Sequence, residues 1–183
     1  MDLTLWIIIG VLVLFILIII GLFNAIIRLK NKVENAWSQI DVQLKRRFDL
    51  IPNLIDTVKG YMKHEKEVLT EITKARSNLM KGSLEKRAEA SDQITGALKS
   101  LFAVAENYPQ LKASENFKML QEELSGTENK ISYARQHYND MVMMFNTKIE
   151  LFPNNIFANM LNFKKKEFFK TEGKEREPVK TKF

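Results

Sequence analysis

The chain has 183 residues, long enough for one domain with a real core, and carries 28 basic against 22 acidic side chains, a formal net charge of +6. It has no cysteine, which excludes disulfides, thiolate metal sites and a catalytic thiol. The last twenty residues hold eight basic and four acidic side chains, so the middle of the chain is close to balanced.

From Leu3 to Ile27 no side chain ionises. These 25 residues, as a helix with about 1.5 Å rise each, span about 37 Å, enough to cross a hydrocarbon core of about 30 Å with some tilt. Leu3 marks the outer end of this predicted transmembrane anchor, Phe15 its middle and Ile27 its inner end, and Trp6 sits at headgroup level. A globular core rarely needs so long a stretch apolar on every side. Acidic Asp2, the length of the core and the lack of a small-x-small site at Gly21-Leu22-Phe23 predict an uncleaved anchor rather than a removed signal. Arg28, Lys30 and Lys32 follow at once. By the positive-inside rule they place residues 1–2 outside as a short N-terminus and the body in the cytoplasm.

Helical periodicity continues out of the anchor. Val33, Trp37, Ile40, Leu44, Phe48 and Ile51 recur at spacings of three and four, and Trp37, Ile40, Leu44 and Leu54 are expected in the core. Pro52 predicts a kink or a break near Asp49 to Ile51, after which Leu54, Ile55, Val58, Tyr61 and Met62 resume the stripe. A second helix carries Val68, Leu69, Ile72, Ala75 and Leu79 and ends near Gly82. Ser83 is a fair N-cap for a third, which runs to Ala105 and stops before Pro109. Ser114 caps the last long helix, whose predicted stripe is Phe117, Leu120, Leu124, Thr127, Ile131, Ala134, Tyr138, Met141, Phe145 and either Lys148 or Ile149. So sustained an alternation predicts coiled-coil-like packing, and Gly126 within it predicts a close helix contact. Pro153 ends it, and Ile156, Met160, Leu161 and Phe163 suggest a short amphipathic helix. The expected fold is all-α: a single N-terminal transmembrane helix followed by an antiparallel bundle of three or four long helices over residues 28–163. Residues 164–183 are expected as a basic flexible tail, with Lys164-Lys165-Lys166 and Phe168-Phe169 either touching an anionic leaflet or packing back on the bundle.

Signs of catalysis are missing from the sequence. His64 and His137 belong to no metal-binding helical pair, and His64-Glu65 beside Glu67 reads as a solvated helix end. There is no phosphate loop and no nucleophile elbow. Asp41 and Asp49 bracket the basic run Lys45-Arg46-Arg47, which argues for an ion-paired face over a nucleic-acid site. No enzyme activity, cofactor, metal, nucleic acid or small-molecule substrate is expected.

Two long segments carry a family resemblance. Asn35-Ala36-Trp37-Ser38-Gln39-Ile40-Asp41-Val42-Gln43-Leu44-Lys45-Arg46-Arg47, continuing through Asp49-Leu50-Ile51-Pro52-Asn53-Leu54 to Gly60-Tyr61, resembles the signature of the LemA family. Ala134-Arg135-Gln136-His137-Tyr138-Asn139-Asp140, with Asn146, Ile149, Phe152 and Pro153, resembles its second block. The resemblance implies a bacterial single-pass inner-membrane protein with a helical bundle, no defined reaction, and for some members a link to the organisation of internal membranes. One departure is Asn162, where the resemblance implies a glycine and close backbone packing.

Among the motif residues, Asn35, Gln39, Asp41, Arg46, Arg47, Asp49 and Asn53 are polar and interleaved with the core positions, and Arg135, Tyr138, Asn139 and Asp140 form a matching set. A polar network inside the bundle is expected, with Arg46 or Arg47 pairing with Asp140, serving either register or a partner. The functional expectation is a non-enzymatic membrane-anchored scaffold on the lipid bilayer that forms a homo-oligomer or binds other membrane proteins. A signalling adaptor and a carboxylate-dependent hydrolase are the alternatives.

Overall fold

A computed structural model of the chain describes residues 3–62 and 65–170. Residues 1–2, His64 and the tail from 171 onward therefore lie outside the described residues. The rest is all-α: α1 (Leu3–Lys59), α2 (Lys66–Leu79), α3 (Leu84–Ala105), α4 (Pro109–Ala113), α5 (Glu115–Glu150) and α6 (Asn154–Met160), with no strand among the described residues. By their contacts the described residues form two compact units: one of residues up to Trp37 with His137–Phe168, the other of Ser38–Gln136 with Phe169 and Lys170.

In the first unit every side chain from Leu3 to Ile18 is exposed, and the first fully buried one is Ile26. Helix α1 has the length and composition to cross a membrane. Trp37 meets Tyr138 edge-on at 5.9 Å, and Ala25, Arg28 and Leu29 share a groove with Met143, Met144 and Leu151. Together these contacts make the end of α5 antiparallel to α1. Trp37, expected in the core, is half-buried against this ring, whereas Ile40, Leu44 and Leu54 are fully buried. On α5 the stripe passes from Tyr138 to Val142 rather than Met141 before Phe145 and Ile149, because a helix of 3.6 residues per turn drifts against a strict heptad.

Helix α6 ends where the sequence resembles a glycine position. Asn162 has φ 54°, the Phe163 N–H reaches the Ala158 carbonyl at 2.9 Å and the Asn162 N–H reaches that of Asn159 at 3.2 Å. This is a left-handed helix cap. The glycine is explained by backbone sign rather than by close packing, and asparagine is the residue other than glycine that tolerates that sign best. The apolar face of α6 is turned outward, with Ile156, Met160 and Leu161 exposed while Asn154 and Ala158 are buried.

The start of the expected flexible tail is held in place. The Asn146 side-chain amide donates to the Lys166 carbonyl at 2.9 Å and accepts from the Lys166 N–H at 2.8 Å, and the Tyr138 hydroxyl donates to the Glu167 carbonyl at 3.0 Å. These bonds fix an extended segment that forms no helix of its own.

The second unit is built from residues 38–59 of α1, the hairpin of α2 and α3, the short α4 and residues 115–136 of α5. Gly82 turns the hairpin at φ 87°, and Ser83 caps α3 by accepting from the Lys86 N–H at 3.4 Å. Ser114 accepts from the Phe117 N–H at 3.5 Å at the start of α5.

The break expected at Pro52 does not occur, since α1 runs through it to Lys59. Proline removes the N–H that would reach the Phe48 carbonyl four residues back. Here Arg76 of α2 supplies the missing donor: its Nε–H reaches that carbonyl at 2.8 Å, with its guanidinium 3.7 Å from the centre of the Phe48 ring.

The close helix contact expected at Gly126 is also absent. A Cβ there would meet nothing within 4 Å, because the residue lines an open groove of about 270 Å³ beside Arg46, Met119 and Lys130. Gly126→Ala should therefore raise stability by about 1 kcal/mol, the helix-propensity difference. Urea unfolding followed by circular dichroism measures it, and a loss of stability would show that the groove is needed empty.

Candidate functional site: a buried arginine network

Arg47 lies between Leu44 and Ile51 on the inward face of α1 and is 1% exposed. Its guanidinium donates to the Ser91 carbonyl and hydroxyl, each at 3.3 Å, and to the Thr95 hydroxyl at 3.2 Å, and it forms an ion pair with Glu128. The Thr95 hydroxyl lies 2.9 Å from the Glu128 carboxylate and 3.0 Å from the Ser91 carbonyl, and its single proton serves one of them at a time. One step further along α5, Arg135 donates to Asp92 at 2.9 Å and stacks 4.7 Å from the ring centre of Phe169, which is 1% exposed. Of the two phenylalanines expected either at a leaflet or on the bundle, Phe169 is packed in the bundle and Phe168 is exposed.

Burial, followed by the like charge of Arg135 and offset in part by Asp92, pushes the Arg47 guanidinium down to about 10. At neutral pH it remains charged, and its partners come from two helices, α3 and α5, so that the site joins three helices with its own α1. Sliding any of these helices by one residue would leave a buried charge without partners, so the arrangement penalises a change of register.

Around this centre the other motif residues divide. Asp41 forms an ion pair with Arg87, which also donates to the Leu79 carbonyl at 3.2 Å. Arg46 pairs with Glu123, and Lys45 with Asp49 at 2.8 Å on the exposed side of α1. Arg46 and Arg47 thus take Glu123 and Glu128 as partners instead of the expected Asp140, which is exposed. Asn35, Gln39 and Asn53 lie on the exposed face of α1, and Asn139 is half-buried on α5. Tyr138 is buried, and burial together with the Glu167 charge raises its hydroxyl pKa. Glu65 accepts from the Tyr108 hydroxyl at 3.4 Å.

Sequence reasoning missed Ser91, Asp92, Thr95, Glu128, Arg87 and Arg76. One signal was available: Arg47 falls on the 40–44–47–51 spacing of the core face and Phe48 does not. The acidic and hydroxyl partners carry no local signal, because their roles depend on which helices become neighbours.

The family model for the LemA family matches residues 36–183. Protein LemA of Metamycoplasma hominis is 32% identical over 92% of this chain and 82% of its own length. The magnetosome protein MamQ 2 of Paramagnetospirillum magneticum is 24% identical, over 92% of this chain and 72% of its own. MamQ of Magnetospirillum gryphiswaldense is 23% identical, over 86% and 68%. An all-helical chain with an apolar N-terminal helix, matched over both motif blocks, belongs to the LemA family.

Proposed function

We propose that this protein is a non-enzymatic, membrane-anchored assembly factor: α1 spans the inner membrane with its first residues outside, and the helical body works in the cytoplasm as a homo-oligomer or as a platform for other membrane proteins. The observation that carries the reading is α1 itself. An exposed apolar stretch passes without a break into a helix whose inward face is buried from Val33 to Val58. Arg46, Arg47, Arg87 and Arg135 each form an ion pair with a carboxylate, an arrangement suited to a rigid platform. The relatives named for the magnetosome, a cellular structure rather than a reaction, support assembly over catalysis.

Val33, Ile40 and Leu44 are covered within the chain, so self-association is assigned to the exposed apolar stretch of α1. Confinement to one bilayer raises effective concentration, so a weak interface suffices. Sedimentation of the full-length protein in mild detergents and in lipid discs should give more than one copy per particle. A monomer under every condition would overturn the oligomer, and turnover abolished by a single carboxylate substitution would overturn the non-enzymatic reading. A reporter fused after Phe183 should be active only if it requires the cytoplasm. Moving the charges of Arg28, Lys30 and Lys32 to the other side of the anchor should invert or mix the orientation.

A further inference from the structure

The turn after α5 and the outer face of α6 carry bulky apolar side chains that no described residue covers. Phe152 is 78% exposed, Met160 77%, and Leu151, Ile156 and Leu161 about half. A soluble protein rarely leaves such a cluster bare. Its place in the first unit is well defined. Helix α5 runs antiparallel to α1 there, and Leu151 lines the same groove as Ala25, beside the point where the bare apolar stretch of α1 gives way to buried Ile26. The chain leaves α5 at Glu150, and by Phe163 it is back beside Phe145, ring centres 6.4 Å apart. Residues 152–162 are thereby confined to the end of the unit that adjoins the bare stretch. Cations gather at the same end: Arg28, Lys32 and Lys148 line the groove, and exposed Lys164 follows the cluster.

We infer that residues 151–161 are a second membrane contact, an interfacial insertion that sinks its apolar side chains to the headgroup–acyl boundary of an anionic leaflet beside the α1 span. Phe152 and Met160 enter the boundary, and the surrounding cations meet the lipid phosphates. Continuity with the apolar stretch of α1 selects lipid as the occupant. The inference rests on α1 crossing the bilayer, and the test separates the two.

The chain has no cysteine, so single cysteines can each carry an environment-sensitive fluorophore at Phe152→Cys, Met160→Cys, Phe15→Cys within the span and Ser100→Cys on the exposed side of α3. The full-length protein is placed in vesicles of phosphatidylcholine and phosphatidylglycerol, without nitroxide or with lipids bearing one either near the headgroup, for labels at 152 and 160, or near the acyl-chain end, for the label at 15. Labels at 152 and 160 should be quenched by the nitroxide lipid and should be several-fold less accessible to aqueous iodide than the label at 100. Quenching at 15 with water-like behaviour at both 152 and 160 overturns the inference and leaves the span standing. Absence of lipid quenching at 15 overturns both. Shielding from iodide at 152 and 160 without lipid quenching, lost as the protein is diluted in lipid, means a second copy covers the cluster and also overturns it.

Discussion

Glu128→Leu should cost about 3–5 kcal/mol of folding stability, because it removes the carboxylate from a guanidinium that is 1% exposed and still charged at neutral pH. Ser91 and Thr95 would remain as donors' partners, but neutral oxygens do not replace a carboxylate for a buried cation. The double variant Arg47→Met with Glu128→Leu should recover most of that loss, since no charge is then left inside and methionine fills the arginine stem's volume. The recovery tests the role. If the double variant is as unstable as Glu128→Leu alone, the site contributes through shape and hydroxyl bonding rather than through charge compensation. If it is stable but populates several packings, seen as broadened amide spectra, the network sets register. Chemical unfolding of the detergent-solubilised protein, followed by circular dichroism, gives the energies.

Arg76→Ala should cost about 2 kcal/mol, the sum of a charge-assisted bond to a carbonyl and a stacked cation on a phenylalanine ring. The cause lies in α1: the Phe48 carbonyl has lost its helical donor to Pro52. Pro52→Ala restores an N–H there, so in that background Arg76→Ala should cost only about 1 kcal/mol, the share of the stacking. A cost unchanged by Pro52→Ala would mean that Arg76 acts through packing alone, with the carbonyl satisfied in some other way.

Both effects mark the limit of what the sequence makes legible. Periodicity located the helices because burial of one face is a local property, and the serine caps at 83 and 114 are likewise local. Of the kink or break expected at Pro52, the break does not follow, because the remedy for the missing N–H comes from a residue on another helix. Arg47 was grouped with Lys45 and Arg46 by adjacency, although on a helix three consecutive residues point about 100° apart. Lys45 and Arg46 do take exposed partners, and Arg47 alone turns inward. Gly126 and Asn162 exchanged explanations. The glycine expected to allow close packing borders an open groove, and the asparagine standing for a glycine occupies the left-handed backbone position.

The way α1 becomes covered also bears on which membranes suit this protein. Its side chains are exposed from Leu3 to Ile18 and the first fully buried one is Ile26, so, with α1 spanning the bilayer as proposed, the length of helix left for lipid lies between about 24 and about 34 Å, bracketing one hydrocarbon thickness. The covered part of the helix begins where that length ends, which limits tilt. A bilayer a few ångströms thicker would have to thin around the protein or draw the Arg28–Lys32 collar into the headgroups, at fractions of a kcal/mol per ångström. Small as that is for one copy, it adds across an assembly, so a cluster of these chains would favour, and hold, patches of membrane of one thickness.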